Sequence, residues 1–361
     1  MSFFRKICVI IFNRIGRKLL LPFKFPALYI IRKYQLLKIT FLSLFYNEQA
    51  DFNYCVDTLL EPIYWFVDNY TKALGPFFVF VVVSLLSSFV VIAYLIGLPF
   101  WLERSPTITA IALVLGNYIL INVVFHYYMA LKTSPGYPPQ DRILFDVVSI
   151  CKKCFIPKPP RAHHCSVCNR CILKMDHHCP WLDNCIGHYN HRFFFQFCAY
   201  TWIGTIFIII FGVSIAYEQF ILDVNTSNGS ISTNYENLNF FEQLWSLVGD
   251  YLSRWRKNLI IYELLLCLGT FISVGLLGLW HIKLITKGET CVETFINKKR
   301  MKKLLENGHN YCNPFDKGSK LNWVIFLGLD QPNMKWRHIL LPSTHLPKST
   351  GLFWDISRKV P

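Results

Sequence analysis

The sequence predicts a polytopic α-helical membrane protein with four transmembrane helices and a cysteine-rich segment between the second and third. Three observations support this. The 361 residues are 53% hydrophobic, with a mean hydropathy of +0.33. Four apolar segments are long enough to span a bilayer, and seven of the 13 cysteines lie between Cys151 and Cys185. Ordinary soluble domains are less apolar than this chain.

Each predicted span exceeds the roughly 20 apolar residues that cross a bilayer. The four spans are Pro76–Trp101, Ile108–Leu131, Phe193–Tyr217 and Leu259–Ile282. Glu263 is the only acidic residue within them. Buried helices of a soluble core are a much weaker interpretation at this length and apolarity.

The basic residues predict the orientation. Residues 1–75 contain ten Lys/Arg, residues 132–192 nine, and the tail after Ile282 fourteen, whereas the loop 218–257 contains three. Cytosolic segments of membrane proteins are enriched in Lys/Arg, so both termini and the cysteine-rich segment are expected in the cytosol. The net charge of +15 is consistent with anionic lipid as a partner. No Lys/Arg tract is long enough to favour nucleic acid.

These features predict five segments. Residues 1–75 form a cytosolic segment with an interfacial amphipathic helix near its start, where basic and apolar residues alternate at roughly helical spacing. Residues 76–131 hold spans one and two, and residues 132–192 form the cytosolic cysteine-rich domain. Residues 193–282 hold spans three and four with a lumenal loop at 218–257, and 283–361 form a cytosolic tail. We find no internal repeat in the sequence.

The cysteine-rich segment contains seven cysteines and four histidines between Cys151 and Cys185. Dense C-x-x-C spacing with interleaved histidines indicates metal binding rather than a disulfide scaffold. A structural zinc site takes four N or S ligands, so two sites use eight of the eleven and leave three. Spacing alone does not decide which three. A zinc module without chemistry is the competing interpretation.

Cys179 is the candidate nucleophile. His177 and Asp176 precede it, and a carboxylate that orients an imidazole, which in turn deprotonates a thiol, is a general arrangement for nucleophilic catalysis. Pro180 prevents a helix from continuing through this point, so a tight turn is expected.

The pattern C-x2-C-x9-HC-x2-C-x2-C-x4-DHHC-x5-C, from Cys151 to Cys185, resembles that of the DHHC protein S-acyltransferases. Flanking elements agree with this resemblance. Ser134-Pro135-Gly136 is similar to the family's Asp-Pro-Gly element, and Thr290-Cys291-Val292-Glu293 to its Thr-Thr-x-Glu motif. Asn313-Pro314-Phe315 and Asn322-Trp323 are similar to its C-terminal element. Segments such as EPIYWFVDN and LLPSTHLP resemble the abl-philin-like branch, reported in the endoplasmic reticulum.

The resemblance implies two structural zinc ions, one on Cys151, Cys154, His164 and Cys171, the other on Cys165, Cys168, His178 and Cys185. It also implies that Cys179 is the nucleophile, His177 its base and Asp176 the group that orients the base. The four spans would surround an acyl chain. The expected reaction moves a palmitoyl group from acyl-CoA, through an acyl-enzyme with ping-pong kinetics, to cytosolic cysteines of membrane-associated proteins.

Four basic residues of the same loop are candidates for the acyl-CoA phosphates: Lys158, Arg161, His163 and Lys174. Plain solvated charge is an equally open interpretation. Cys291 is expected to be a solvated loop thiol or an acylation site. The expected location is the endoplasmic reticulum membrane, with the Golgi membrane as the alternative.

Two other functions compete with the enzyme. A zinc-stiffened membrane scaffold would need none of Asp176, His177 and Cys179. A metal transporter would need ionisable residues inside the spans, where His126 and Glu263 are the candidates.

The predicted orientation has a direct test. Asn225 and Asn228 start glycosylation sequons in the segment assigned to the lumen, whereas Asn69 starts one on the cytosolic side. We expect glycan on Asn225 or Asn228, and none on Asn69, when single-sequon variants are translated with microsomes and treated with endoglycosidase. Glycan on Asn69 would reverse the topology.

Overall fold

The computed structural model describes residues 31, 33–38, 52–139, 149–222 and 240–355. The predicted amphipathic helix at the start of the chain and the sequons at Asn225 and Asn228 lie outside these residues. The chain forms two compact units, Met1–Val67 and Asp68–Pro361. Every contact described below lies within the second unit.

The described chain contains four long helical segments. Helix α1 (Phe52–Ile92) continues through a π-helical turn, Ala93–Gly97, into α2 (Leu98–Arg104). Helix α3 covers Pro106–Lys132, α4 covers His191–Tyr217 and ends in a second π-helical turn, Glu218–Leu222, and α5 covers Phe240–Thr286. Ser105 separates α2 from α3, and its Oγ accepts a hydrogen bond from the Ile108 N–H as an N-cap, with Pro106 in the first turn.

The prediction of four transmembrane helices is confirmed. The segments long and apolar enough to cross a membrane are Tyr70–Arg104, Pro106–Lys132, His191–Ile221 and Trp255–Thr286. Each is somewhat longer than the apolar run that predicted it. Helix α5 begins at Phe240, so residues 240–257 of the predicted loop 218–257 are helical.

An apolar cavity of about 230 Å³ lies between these helices. On α3 its lining extends from Thr109 to Val123, and on α4 from Thr201 to Ile215. Each of these stretches is about 21 Å long at 1.5 Å per residue, so the cavity follows the helices through much of the bilayer core. Apolar side chains dominate the lining, with Glu263 and a few neutral polar groups among them.

The cysteine-rich segment forms three short antiparallel hairpins. Strand β1 (Ser149–Ile150) pairs with β2 (Pro157–Lys158). Strand β3 (His163–Cys165) pairs with β4 (Arg170–Ile172), and β5 (His177–Cys179) pairs with β6 (Asn184–Ile186). Strands of two or three residues do not form a stable sheet by themselves, so other contacts must hold them.

The tail contains helices α6 (Cys291–Glu306), α7 (Ser319–Phe326) and α8 (Arg337–Leu340). Its last described part packs along α4. The Gln196 side chain donates to the Ile339 carbonyl at 2.9 Å, and the Arg192 guanidinium donates to the His345 carbonyl at 2.7 Å. Tyr118 of α3 donates to the Leu340 carbonyl at 2.7 Å. The tail is thereby fixed to the spans.

Candidate active site

The three hairpins share one register, shifted by fourteen residues each time. His163 and His164 face Ile172 and Cys171, and fourteen residues later His177 and His178 face Ile186 and Cys185. The first hairpin has the same register, with Ser149 facing Lys158. The expectation of no internal repeat is therefore wrong. The unit was missed because it is shorter than ordinary structural repeats and few residues other than its His and Cys recur.

Each C-x-x-C turn contributes to a cluster with the next hairpin. Cys151 and Cys154 from the first turn meet the facing pair His164 and Cys171, with the Cys154 Sγ 3.1 Å from the His164 Nδ1. Cys165 and Cys168 from the second turn likewise meet His178 and Cys185. The Cys168 Sγ lies 3.4 Å from both the His178 Nδ1 and the Cys185 Sγ.

Both clusters fit a tetrahedral metal. Ligand bonds of about 2.0–2.3 Å to zinc place neighbouring N and S atoms roughly 3.5–3.8 Å apart. The separations found here lie between 3.1 and 3.9 Å. Each cluster joins two hairpins, so metal bound to both would link all three in series. The structure groups the same eight residues that the resemblance implied.

The third hairpin repeats the turn but lacks one cysteine. Cys179 occupies the position of Cys151 and Cys165, while Leu182 stands where Cys154 and Cys168 stand in the earlier turns. The residue four positions after the first cysteine has positive φ in all three turns: Phe155 (56°), Asn169 (50°) and Asp183 (44°). Cys179 therefore has the backbone setting of a metal ligand without a partner cysteine in its own turn.

Two asparagines attach this third hairpin to the end of α3. The Asn184 amide donates to the carbonyls of Ala130, Leu131 and Thr133 at 3.0–3.2 Å. The fully buried Asn190 donates to the Ala130 carbonyl at 3.3 Å and to the Cys185 carbonyl at 2.8 Å, and it accepts from the Gly187 N–H at 2.9 Å. These bonds satisfy carbonyls that a helix end leaves without partners. Neither asparagine was predicted from the sequence. An amide side chain just before an apolar span could have indicated a group that bonds the free carbonyls of a neighbouring helix end.

The packing of Gly187 explains why the chain approaches so closely here. A Cβ at Gly187 would lie 2.8 Å from the Pro135 carbonyl oxygen and 2.7 Å from the Ile172 side chain. Ser134 Oγ accepts from the Gly136 N–H at 3.3 Å, so the serine that replaces the expected aspartate still stabilises this turn.

The carboxylate, imidazole and thiol singled out from the sequence lie together. Asp176 Oδ2 is 2.6 Å from His177 Nδ1, and the Asp176 side chain is fully buried. The His177 ring contacts Phe194, with centroids 5.0 Å apart, and its side chain is 28% exposed. Cys179 is buried in an apolar cluster that includes Tyr127, Leu182, Ile186, Phe193, Phe194 and Cys198.

The surroundings make His177 a stronger base. Burial by itself lowers the pKa of His177, but the hydrogen bond with Asp176 and the nearby side chains of Cys179 and Cys291 raise that pKa well above its ordinary value. Burial opposes ionisation of Asp176, yet the neighbouring His191 and His177 hold the pKa of this carboxyl far below its usual range. Asp176 therefore remains a carboxylate at neutral pH, and the imidazole beside Cys179 gains proton affinity.

Helix α6 supplies a further contact to Asp176. The Cys291 N–H donates to Asp176 Oδ1 at 2.9 Å. Thr290 and Glu293 form a capping box at the start of the helix, and Trp280 Nε1 donates to the Cys291 Sγ at 3.4 Å. Cys291 is thus a half-buried helix residue and not the expected solvated loop thiol. Because the backbone makes the bond to Asp176, the change from threonine to cysteine preserves it.

Arg161 is held inside the protein. Its guanidinium makes two 2.6 Å bonds to the Glu293 carboxylate and one of 2.8 Å to the Gly288 carbonyl. The rings of Phe315 and Trp354 lie 4.5 and 4.6 Å from its Cζ. With 4% of its side chain exposed, Arg161 is not the solvated phosphate-binding cation that the sequence suggested.

The other three candidate cations have mixed settings. Burial lowers the pKa of Lys174 to about 8, and its Nζ lies 5.6 Å from the Trp354 ring. Burial and the nearby Lys158 lower the pKa of His163. Lys158 is half-buried on β2. The four residues therefore do not form one open basic patch.

Comparison with known proteins agrees with this site. The family model for the DHHC palmitoyltransferase domain matches residues 145–298. Palmitoyltransferase ZDHHC16A of Danio rerio is 38% identical over 341 residues, covering 89% of this chain and 88% of that protein. Palmitoyltransferase ZDHHC16 of Homo sapiens is 39% identical over 335 residues, covering 90% and 87%. The chain belongs to the DHHC palmitoyltransferase family.

Within the DHHC family the chain falls in the abl-philin-like branch, which is that of the ZDHHC16 proteins. A more distant relative, probable protein S-acyltransferase 15 of Arabidopsis thaliana, is 32% identical over 58% of this chain and 69% of its own. The chain is accordingly a membrane-bound protein S-palmitoyltransferase, and the family predicted from the DHHC motif is confirmed.

The buried ion pair gives a testable stability effect. Arg161→Ala leaves the Glu293 carboxylate buried without its cation, which costs about 3–5 kcal/mol. We expect a large fall in the thermal stability of the purified protein in detergent. The double variant Arg161→Ala/Glu293→Ala should be less destabilised than the sum of the two single variants, because the pair is lost only once.

The control is the surface pair of Lys317 and Asp355, whose aspartate side chain is 96% exposed. Lys317→Ala should change stability by no more than about 0.5 kcal/mol. Additive effects of Arg161→Ala and Glu293→Ala would show that the two residues do not act as a pair.

Proposed function

We propose that the chain transfers a long-chain acyl group, in particular palmitoyl, from acyl-CoA through a Cys179 acyl-enzyme to cysteines of membrane-associated proteins. The observation that carries the proposal is the buried 2.6 Å contact of Asp176 with His177 next to Cys179. This group lies where β5 meets the ends of α3 and α4, close to the apolar cavity between the spans.

In the first step His177 takes the proton of the Cys179 thiol, and the thiolate attacks the thioester carbonyl of acyl-CoA. The new C–S bond to Cys179 forms as the bond to CoA breaks, and the proton from His177 goes to the departing CoA thiolate. In the second step His177 deprotonates a substrate cysteine, which attacks the acyl-enzyme and releases Cys179. Asp176 keeps Nδ1 of His177 occupied, so Nε2 is the nitrogen that exchanges protons.

Two zinc ions would be held by the two Cys3His clusters, Cys151, Cys154, His164, Cys171 and Cys165, Cys168, His178, Cys185. Their donor sets and atom separations support this ligand assignment. Zinc in such closed sites supplies folding energy and takes no part in the reaction. In this domain it would hold three hairpins whose strands are too short to be stable alone.

The acyl chain is proposed to occupy the cavity between the spans. Tyr127 and Cys198 pack with Cys179, and the cavity lining begins at Val123 and Thr201, about one helical turn further along α3 and α4. The phosphates of CoA would remain in water near Lys158, His163 and Lys174. Arg161 is better assigned to positioning α6, because its donors are used within the protein.

The proposed setting is the endoplasmic reticulum membrane, with the Golgi membrane as the alternative. Residues 1–75, 132–192 and 283–361 would lie in the cytosol, and the lumenal segment would fall within 218–257. The Lys/Arg distribution supports this orientation. Substrate proteins would present their cysteines at the cytosolic membrane face, where Cys179 is expected to lie.

Four variants separate ligand from catalytic roles. Cys179→Ser should keep two zinc ions per chain and an unchanged melting temperature, yet form no acyl-enzyme, since a hydroxyl is a far weaker nucleophile than a thiolate. His177→Ala should keep zinc and slow acyl-enzyme formation by about 10²–10⁴-fold, the usual contribution of a general base. Asp176→Ala should act in the same direction but more mildly.

Cys185→Ala is the matched ligand variant and should lose zinc and stability, because metal binding there is folding energy. Zinc content, melting temperature and hydroxylamine-sensitive acylation with palmitoyl-CoA are measured on all four purified proteins. Loss of a zinc ion from Cys179→Ser would overturn the division into ligands and nucleophile. Full acylation of Cys179→Ser would show that another residue carries the acyl group and would overturn Cys179 as the nucleophile. No acylation of the parent protein would overturn the proposed function and favour a zinc-stiffened scaffold.

The cavity predicts a change in chain-length preference. Gly204 and Gly212 both line it. A Cβ on Gly204 would lie 3.3 Å from Ile119, whereas one on Gly212 meets nothing within 4 Å. Gly212→Phe should therefore fill the cavity with little disturbance and shift preference to shorter acyl-CoAs. The expected shift is about fourfold per excluded methylene, from ~0.8 kcal/mol each.

The control is Gly278→Phe on α5, which also has open space around its Cβ but does not line the cavity. Gly204→Phe should shift the preference in the same direction with a larger loss of stability. Competition among acyl-CoAs of graded length measures the preference. An unchanged preference in Gly212→Phe would place the acyl chain elsewhere.

A further inference from the structure

A third group of metal-capable side chains lies at the reaction centre. Asp176, His177, His281 and Cys291 each place one ligand atom within 4.8 Å of the others. They come from β5 and the residue before it, from the end of α5 and from the start of α6. The group shares no residue with the two Cys3His clusters, and the reaction proposed above has no use for the thiol of Cys291 or the imidazole of His281.

His281 is the second observation that points to a ligand. Its side chain is 1% exposed, and its Nδ1 lies 3.3 Å from Nε2 of His191. Its Nε2 has no hydrogen-bond partner in the part of the chain that the structure describes. Leaving a buried polar atom unpaired is unfavourable, because the atom loses its hydrogen bond to water and gains none in return. When Nδ1 of His281 donates to His191, Nε2 carries a lone pair, which is what a metal ion takes.

The donor set suits a borderline-soft divalent ion. One thiolate, two imidazoles and one carboxylate oxygen are the ligands that zinc combines in tetrahedral sites. Asp176 already bonds His177 and the Cys291 N–H, but each carboxylate oxygen has a second lone pair. It can bind the ion directly or act as the carboxylate that orients a zinc-bound histidine.

Two of the four side chains are partly exposed at the protein surface. The His177 side chain is 28% exposed and Cys291 is half-buried. The remaining two side chains lie behind them. Burial raises the pKa of the Cys291 thiol, and the bond that Trp280 Nε1 donates to its Sγ acts in the opposite direction. A bound cation would supply the remaining stabilisation of the thiolate.

We propose that Asp176, His177, His281 and Cys291 form an inhibitory zinc site. Binding releases the Cys291 proton and occupies the lone pair of His177, so the imidazole can no longer accept the proton of Cys179. The inhibition rests on the proposed role of His177 as base, whereas the site itself does not. The enzyme would then be silenced by free zinc without losing its two structural ions.

The test uses full-length protein in detergent, free of affinity tag and with the structural sites filled. Zinc bound per chain is measured after equilibrium dialysis against buffered free zinc, and the acyl-enzyme rate is measured at each free-zinc level. Rates are expressed as the ratio with and without added zinc within each variant, so any basal change in a variant cancels. We expect binding to rise from two to three ions per chain while the acyl-enzyme rate falls at least tenfold.

Cys291→Thr and His281→Gln should each remain at two ions per chain and lose the inhibition. The control variant Cys312→Ser removes an exposed thiol outside the group and should behave like the parent protein. A third ion that persists in both Cys291→Thr and His281→Gln would overturn the site. If the third ion is lost in those variants but does not slow the acyl-enzyme rate of the parent protein, inhibition through His177 is overturned. The acylation rate of His177→Ala then shows whether His177 is the base: a normal rate in that variant would mean that the proposed function, and not the zinc site, has failed.

Discussion

The ion pair between Arg161 and Glu293 is the contact on which the geometry of the catalytic group depends. Glu293 binds Arg161 and also completes the capping box with Thr290 at the start of α6. That start directs the Cys291 N–H onto Asp176, and Asp176 fixes His177. A pair 132 residues apart in sequence therefore sets the orientation of the base, which the four-residue DHHC motif cannot do by itself.

The ion pair between Arg161 and Glu293 contributes more by positioning α6 than by adding to the net stability of the fold. Desolvating two charges offsets much of their attraction, so buried pairs often add little free energy even though breaking one is costly. Here the guanidinium is bonded to the Glu293 carboxylate and the Gly288 carbonyl and covered by the faces of Phe315 and Trp354. These contacts hold the start of α6 and neighbouring parts of the tail against the hairpins. The enzyme's tail is thereby part of its reaction centre.

The sequence predicted what depends on local pattern. Hydropathy located the four spans, the DHHC motif identified the family, and Asp176, His177 and Cys179 were found side by side because they are consecutive or nearly so. What it missed depends on distant parts of the chain. Arg161 was predicted to bind the acyl-CoA phosphates or to be a solvated charge, because its partner lies in α6. Cys291 was predicted to be a solvated loop thiol or an acylation site, because its helix cap was not recognised. Asn184 and Asn190 find their hydrogen-bond acceptors only because the fold brings the end of α3 beside them.

The shared register of the hairpins has a consequence for insertions and deletions. Side chains alternate between the two faces of a strand, so one residue added inside β3, between His163 and His164, would turn His164 to the opposite face. The cluster would then lack a ligand although every cysteine was still present. Removal or addition of a full fourteen-residue unit instead restores each facing pair one hairpin along the chain. A one-residue insertion or deletion inside a strand is therefore expected to be as damaging there as loss of a ligand, whereas a change of one whole hairpin preserves the register.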